Sequence, residues 1–242
     1  MRIIKVNAIP STNNLAREFY DGNRDFQPIC IVAKHQTQGK GQRGAQWYSK
    51  PGENLTFSLL FPQQKLQVSK QFNLNMAVSI AILKTLRKQD ILDLSVKWPN
   101  DILSGNYKIG GVLIENILKS DKVAASIIGI GLNVNQIEFN QLPKAASLKS
   151  VTGRDFNLES LLEELLNQLE ERLNNLSNQE NSEVVAEYEK NMFRKDKISV
   201  FKKPDGTLIN GIIKGLGASG LLKIELEEGV QEYDLKEIEL LY

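Results

Sequence analysis

Apolar positions recur along the chain with two periods, one typical of β-strands and one typical of α-helices. Apolar runs of strand length, bounded by turn-forming residues, predict strands over 2–9, 29–35, 55–61, 92–98, 108–117 and 123–134. In the third of these, leucine and phenylalanine alternate with Thr56 and Ser58, so we expect apolar and polar side chains on opposite faces.

Helical spacing of apolar residues marks the segments between these strands. A helix is expected after Pro10, with Ser11 or Thr12 as its N-cap and Gly22 at its end. Longer helices are predicted over 69–89 and 158–173, a shorter one over 183–191, and a connecting loop over 147–151. The leucine repeat of 158–173 is too short to favour a coiled coil over core packing.

The pattern changes near residue 196, where short strands are separated by turns such as Pro204-Asp205-Gly206. This pattern of short strands and turns predicts a small β-barrel. We therefore expect a large domain over 1–192 and a small C-terminal domain over 193–242.

Composition narrows the possible functions. The chain has 242 residues, of which 41% are hydrophobic and 24% charged, and its net charge of +1 gives no general reason to bind polyanions. With Cys30 and His35 as its single cysteine and histidine, a disulfide framework, a Cys/His zinc cage and an H-E-x-x-H helix are excluded within one chain. No apolar run approaches about 18 residues and no signal peptide is evident, so a cytoplasmic protein is expected.

A glycine-rich segment, GKGQRG, follows the second predicted strand and begins at Gly39. It fits G-x-G-x-x-G, but a dinucleotide site also needs a helix that begins there, and Pro51-Gly52 indicates a turn instead. A Walker A loop would need serine or threonine after the lysine, and no protein-kinase motif follows. The remaining interpretations are a flexible surface loop, or a loop whose glycines and cations, Lys40 and Arg43, approach a phosphate.

Two further clusters end predicted strands. KWPND presents Asn100 and Asp101 at a turn, and KIGGVLIE, which begins at Lys108, places two glycines inside a strand. Glycine within a strand usually marks a bulge or a close approach by another group. GIGLNVN repeats that arrangement and ends in amides, including Asn133. Each cluster alone is also compatible with an ordinary strand end.

Taken together and in order, these segments resemble the catalytic domain of biotin protein ligases. The set consists of Ser11-Thr12-Asn13, Gln36 with GKGQRGAQW, then KWPND, KIGGVLIE and GIGLNV, and it covers roughly residues 5–190. The resemblance implies an α+β fold with a mixed, mainly antiparallel sheet backed by helices, as in class II aminoacyl-tRNA synthetases. It also implies that the tail is an SH3-like β-barrel.

The resemblance further implies roles for individual residues. Those implied to bind biotin are Ser11, Thr12, Asn13, Gln36, Gly39, Lys40, Gly41, Gln42, Lys108, Gly110 and Gly111. Those implied to bind the nucleotide are Lys40, Arg43, Trp47, Asn100, Lys108 and Asn133. Catalysis is assigned to Lys108, Arg43 and Asp101. For Asp101, three roles stay open: holding a metal ion, pairing with Lys108, or deprotonating the acceptor lysine.

The implied activity is formation of biotinyl-5′-AMP from biotin and ATP with Mg²⁺, followed by transfer of biotin to a lysine of a biotin carboxyl carrier protein. That carrier would belong to acetyl-CoA carboxylase or a related carboxylase, and homodimer formation is left open. The nearest rival is a lipoyl ligase or octanoyltransferase of the same superfamily. A nucleic-acid-binding protein and an inactive interaction module are the rivals from other classes.

Two departures from the family pattern qualify these expectations. Many members have G-R-G-R-x-G-R in the loop, whereas Lys40, Gln42 and Ala45 replace three arginines here, so fewer bidentate phosphate contacts are available. Some relatives also carry an N-terminal winged-helix domain that binds DNA. Only ten residues precede Ser11, so we expect neither that domain nor DNA binding.

Overall fold

Strands account for most of the regular structure in the computed structural model, which describes residues 1–22, 26–63, 66–139, 142–176 and 180–242, apart from the side chain of Arg43. The strands are β1 (Arg2–Ile9), β2 (Ile29–Gln36), β3 (Leu55–Pro62), β4 (Leu94–Lys97), β5 (Asp101–Ser104), β6 (Tyr107–Lys119), β7 (Lys122–Leu132), β8 (Ile198–Lys202), β9 (Leu208–Leu216), β10 (Leu222–Leu226), β11 (Gly229–Tyr233) and β12 (Glu239–Leu241). The helices are α1 (Thr12–Glu18), α2 (Phe72–Lys88), α3 (Leu148–Thr152), α4 (Leu158–Asn175) and α5 (Asn181–Lys190).

The first seven strands form one sheet in the order β1-β2-β3-β7-β6-β5-β4. Only β1 and β2 pair in parallel, and the other neighbours pair antiparallel. The long hairpin of β6 and β7 therefore lies near the middle of the sheet, with β3 on one side and β5 on the other. The expected mixed, mainly antiparallel sheet is confirmed.

Helices cover both faces of this sheet. Buried leucine and phenylalanine side chains of β3 join α2, α4 and α5 in the main core. On the opposite face, Ala16 of α1 packs with Ile31, Leu60 and Ile127 in a smaller core. No helix of the described residues is long and apolar enough to cross a membrane.

Cys30 lies on β2 inside the main core and is completely inaccessible to solvent. Removal from water disfavours the thiolate, so burial raises the pKa of its thiol to about 12. The native thiol is therefore protonated at physiological pH.

The alternation predicted for β3 is present, whereas two other segments differ from the prediction. Thr56 and Ser58 lie on the face opposite Phe57 and are buried there, because α1 covers that face. The segment 147–151, expected to be a loop, instead holds the N-cap and most of α3, whose first turn is stabilised by a capping box between Ser147 and Ser150. β5, which follows the KWPND turn, was not predicted.

The C-terminal strands form a separate five-stranded antiparallel sheet in the order β11-β10-β9-β8-β12. Its buried side chains, among them Phe201, Ile213 and Ile224, belong to the same core as α2 and α5. Trp98, in the turn after β4, also donates a hydrogen bond from Nε1 to the carbonyl of Gly220, at 3.0 Å. A C-terminal β unit is thus present, while its closure into an SH3-like barrel and the domain boundary after residue 192 stay predictions.

Candidate active site

A chain of hydrogen bonds links buried polar side chains where α1 meets the sheet. The Thr12 backbone N–H and hydroxyl donate to Gln36 Oε1 at 2.7 and 3.0 Å. Ser58 Oγ lies 2.6 Å from Thr12 Oγ1 and 2.5 Å from Asn13 Oδ1. Asn13 in turn donates from Nδ2 to Glu115 Oε2 at 2.9 Å. The arrangement presents fixed donors and acceptors beside a cavity of about 600 Å³ that Thr12, Asn13 and Gln36 line, together with Ser11.

Three glycines of β6 and β7, namely Gly111, Gly129 and Gly131, form a surface without side chains that we call the glycine shelf. Gly111 pairs with Gly131 across the hairpin. A Cβ on Gly131 would lie 2.4 Å from Trp47 Cε2, and a Cβ on Gly129 would lie 2.4 Å from Asn13 Oδ1. Glycine is therefore required at both positions, because neighbouring side chains lie directly against the sheet.

The glycine-rich loop folds back on itself and carries Trp47 onto the shelf. The Gly41 N–H donates to the carbonyl of Ala45 at 2.7 Å, and the Trp47 N–H donates to the carbonyl of Gly39 at 2.9 Å. Lys40 Nζ donates to Asn14 Oδ1 of α1 at 2.9 Å. The loop thus forms one wall of the cavity. The side chain of Arg43, assigned to catalysis and nucleotide binding, lies outside the described part of the chain.

Two lysines share one carboxylate at the opposite end of the cavity. Lys108 Nζ lies 2.5 Å from Asp101 Oδ1, and Lys97 Nζ lies 3.9 Å from Asp101 Oδ2. Lys108 Nζ is also 5.9 Å from the centre of the Trp47 ring. Of the three roles left open for Asp101, pairing with Lys108 is present, and the other two stay predictions.

The turn that holds Asp101 is fixed from both sides. The Asn100 side chain donates to the carbonyl of Val112 on β6, and the Val112 N–H donates to the Asn100 carbonyl at 3.1 Å. From α5, the buried hydroxyl of Tyr188 donates to the carbonyl of Pro99 at 2.9 Å. Burial raises the pKa of Tyr188 far above its ordinary value, so this hydroxyl is always a donor.

We expect Tyr188→Phe to lower the free energy of unfolding by about 1–3 kcal/mol, because the buried Pro99 carbonyl loses its partner without gaining water. Urea denaturation measures this difference. The matched control is Tyr107→Phe, which removes a hydroxyl from an exposed tyrosine and should change stability by less than about 0.5 kcal/mol. Equal losses in the two variants would contradict a specific role for the Pro99 contact.

The C-terminal sheet closes the cavity beside Lys97. Lys202, Lys203 and Lys236 line this side, as does Glu239. The sequence interpretation named none of these residues, since no local motif marks them. It assigned no individual role to Ser58, although a polar residue within a buried strand was a usable signal. Glu115, Gly129 and Gly131 entered it only as members of the KIGGVLIE and GIGLNV segments.

Other residues assigned from the sequence lie near the cavity without lining it. Gly110 points to the other face of β6, where a Cβ would meet Leu132 and Ile102. Asn133 is buried and donates from Nδ2 to the carbonyl of Ala146 at 2.9 Å. Its Oδ1 is buried and has no hydrogen-bond partner among the described residues. Across all the residues that the structure describes, no group of three or more His, Cys, Asp or Glu side chains could hold a metal ion.

The chain matches a known protein family and several of its characterised members. Residues 6–133, just over half of the chain, match the family described as Biotin/lipoate A/B protein ligase. The chain is 28% identical to the bifunctional ligase/repressor BirA of Bacillus spizizenii, over 98% of this chain and 74% of that protein. It is 25% identical to the biotin–[acetyl-CoA-carboxylase] ligase of Mycobacterium tuberculosis, over 84% of this chain and 75% of that one.

Solved structures agree over both sheets. The biotin protein ligase from Aquifex aeolicus in complex with biotin and ATP has a TM-score of 0.81 at 27% identity and covers 99% of this chain and 98% of its own. Biotin acetyl coenzyme A carboxylase synthetase from Helicobacter pylori with bound biotinylated ATP has a TM-score of 0.64 at 25% identity, over 96% of this chain and 99% of that one. The chain is therefore a member of the biotin/lipoate A/B protein ligase family.

Proposed function

We propose that the protein activates biotin with ATP to form biotinyl-5′-AMP and then transfers biotin to a lysine of a biotin carboxyl carrier protein. The observation that carries this proposal is the layout of one cavity. A buried hydrogen-bonded chain lies at one end, the Lys108–Asp101 ion pair lies at the other, and the glycine shelf lies between them. The complexes of relatives with biotin and ATP support it.

The polar end of the cavity suits the ureido ring of biotin. That ring carries both N–H donors and a carbonyl acceptor, and Ser11, Thr12 and Gln36 offer both complementary kinds of group. The fatty-acid-like tail of biotin would then extend over the shelf, so that its carboxylate reaches Lys108. Lipoate and octanoate carry no ureido group and would leave the buried polar groups unpaired, at a cost in binding.

The first step joins two anions. A biotin carboxylate oxygen bonds to the α-phosphorus, and the bond from that phosphorus to the bridging oxygen of the β-phosphate breaks, which releases pyrophosphate. Lys108 would offset the charge of both reacting groups, with Asp101 holding its ammonium group in place.

Mg²⁺ would enter as part of the substrate MgATP. Only Asp101 and Glu239 bring carboxylates to the described lining of the cavity, and Asp101 is already shared by two lysines. This donor set suits an ion that is held mainly by phosphate oxygens and water, as is usual for Mg²⁺ bound with nucleotides.

In the second step, the amine of the carrier lysine attacks the carbonyl of the adenylate and AMP leaves. Water would hydrolyse this mixed anhydride, so the site must exclude water between the two steps. The loop that carries Trp47 covers the shelf and fits that requirement.

The proposal is tested by incubating the protein with Mg²⁺, ATP labelled at the α-phosphate, and biotin, lipoate or octanoate in turn. We expect a labelled adenylate with biotin only, and its disappearance when a biotin carboxyl carrier protein is added. A carrier whose target lysine is replaced by arginine is the control and should leave the adenylate intact. A labelled adenylate with lipoate instead would favour the lipoyl ligase alternative.

A further inference from the structure

Lys97, the last residue of β4, is a cation of the cavity that the proposed mechanism has not used. Its side chain is only 23% exposed, although lysine usually extends into solvent. Nζ lies 3.9 Å from Asp101 Oδ2 on one side and 5.2 Å from the centre of the Tyr242 ring on the other. The ammonium group is thus held in one place at the wall of the cavity.

The charges around Lys97 do not balance. Asp101 is the near anion, and its other oxygen is already paired with Lys108. Of the remaining charged groups that act on Lys97, Glu239 of β12 favours its positive form and Lys144 opposes it. Burial is the main cause that lowers the pKa of Lys97, and the two other lysines add to it. A second anion at this point would relieve the surplus of positive charge.

We propose that Lys97 is a further catalytic residue that stabilises the pyrophosphate leaving group while the adenylate forms. This inference rests on the proposed function. When the bond between the α-phosphorus and the bridging oxygen breaks, the electron pair stays on that oxygen, and negative charge grows on pyrophosphate. Lys97 donates hydrogen bonds to this charge and transfers no proton, so the step needs no other reactant.

Asp101 lies between Lys97 and Lys108, and the two lysines can therefore have different roles. Each lysine approaches a different oxygen of the carboxylate, and Lys108 lies on the side of Trp47 and the glycine shelf. Lys97 lies on the side of the C-terminal sheet, next to Tyr242. One cation therefore faces the acid and the α-phosphate, and the other faces the departing phosphates.

The test separates the two half-reactions in three variants. Lys97→Met removes the charge and keeps most of the stem, Lys97→Arg keeps the charge, and Lys214→Met is the matched control. Lys214 is also a lysine near two carboxylates, at 3.5 Å from Asp196 and 3.6 Å from Glu225, but it does not line the cavity. Biotin-dependent pyrophosphate release measures the first half-reaction, and transfer from supplied biotinyl-5′-AMP to the carrier measures the second.

We expect Lys97→Met to lower kcat for pyrophosphate release by about 10²-fold, with the KM for biotin and the transfer step changed by less than about threefold. Lys97→Arg should retain most of the rate, and Lys214→Met should behave like the wild type. Wild-type pyrophosphate release by Lys97→Met, or an equal loss in both half-reactions, would overturn the inference. If the wild-type protein itself released no pyrophosphate, the proposed function would fail first.

The alkaline side of the pH profile gives an independent readout that does not need the methionine variant to fold. Lys97 is positive below its lowered pKa, so pyrophosphate release should decline as the pH rises through that value. Arginine stays charged at higher pH, so Lys97→Arg should shift the decline upward. The other groups facing Lys97, namely Asp101, Lys108, Lys144, Glu239 and Tyr242, are the same in both proteins. Identical profiles would count against the inference.

Discussion

Replacing Lys108 by alanine should slow the formation of biotinyl-5′-AMP by about 10²–10³-fold, the usual loss when one preorganised contact to a developing charge is removed. The KM for biotin should rise as well, because the same ammonium group is proposed to bind the carboxylate. Asp101 keeps a positive neighbour in this variant, since Lys97 lies 3.9 Å from its other oxygen. The loss therefore reports catalysis, and release of labelled pyrophosphate measures it.

The control for this variant lies on the same strand. Lys119 lies at the opposite end of β6 from Lys108 and is exposed. We therefore expect Lys119→Ala to alter the rate by no more than about twofold. A Lys108→Ala protein that released pyrophosphate at the wild-type rate would refute the role assigned to this lysine.

We expect the second large effect from Gly131→Ala. The added Cβ would lie 2.4, 2.6 and 2.9 Å from three ring atoms of Trp47, so the ring and the loop behind it must leave the shelf. Overpacking of this kind costs about 1–3 kcal/mol. If this free energy is lost from the conformation that binds biotin, kcat/KM for biotin should fall by roughly 5–150-fold.

Gly111→Ala offers a graded comparison, because Gly111 pairs with Gly131 on the same shelf. Its Cβ would find its nearest neighbour, Lys108 Cε, at 3.4 Å, which is close to ordinary contact. The loss in kcat/KM should therefore be several-fold smaller than for Gly131→Ala. Equal losses would show that the contact with Trp47 is not the cause.

Much of the site follows from short sequence segments, because each joins a strand end to a chemically specific group. KWPND and the lysine seven residues beyond it predicted the Asp101–Lys108 pairing as one of three alternatives. Glycines inside apolar strands likewise indicated that something lies against the sheet. Local patterns of this kind are readable because the strand itself fixes the spacing of the residues.

Other parts of the site depend on contacts between segments far apart in sequence. The alternation placed Ser58 on the polar face of the strand, and only the packing of α1 over β3 shows that it joins Thr12 to Asn13. The lysines of the C-terminal sheet reach the cavity through tertiary packing alone. β5 was missed because it is four residues long and directly follows a turn.

The sealed position of Cys30 has a practical consequence. Thiolates, not thiols, attack alkylating reagents, and this sulfur is both protonated and out of reach in the native protein. Maleimides and iodoacetamide should therefore modify the chain only when the sheet opens, and each molecule can take up one label. The rate of labelling in native buffer therefore measures how often the core opens, and no engineered cysteine is needed.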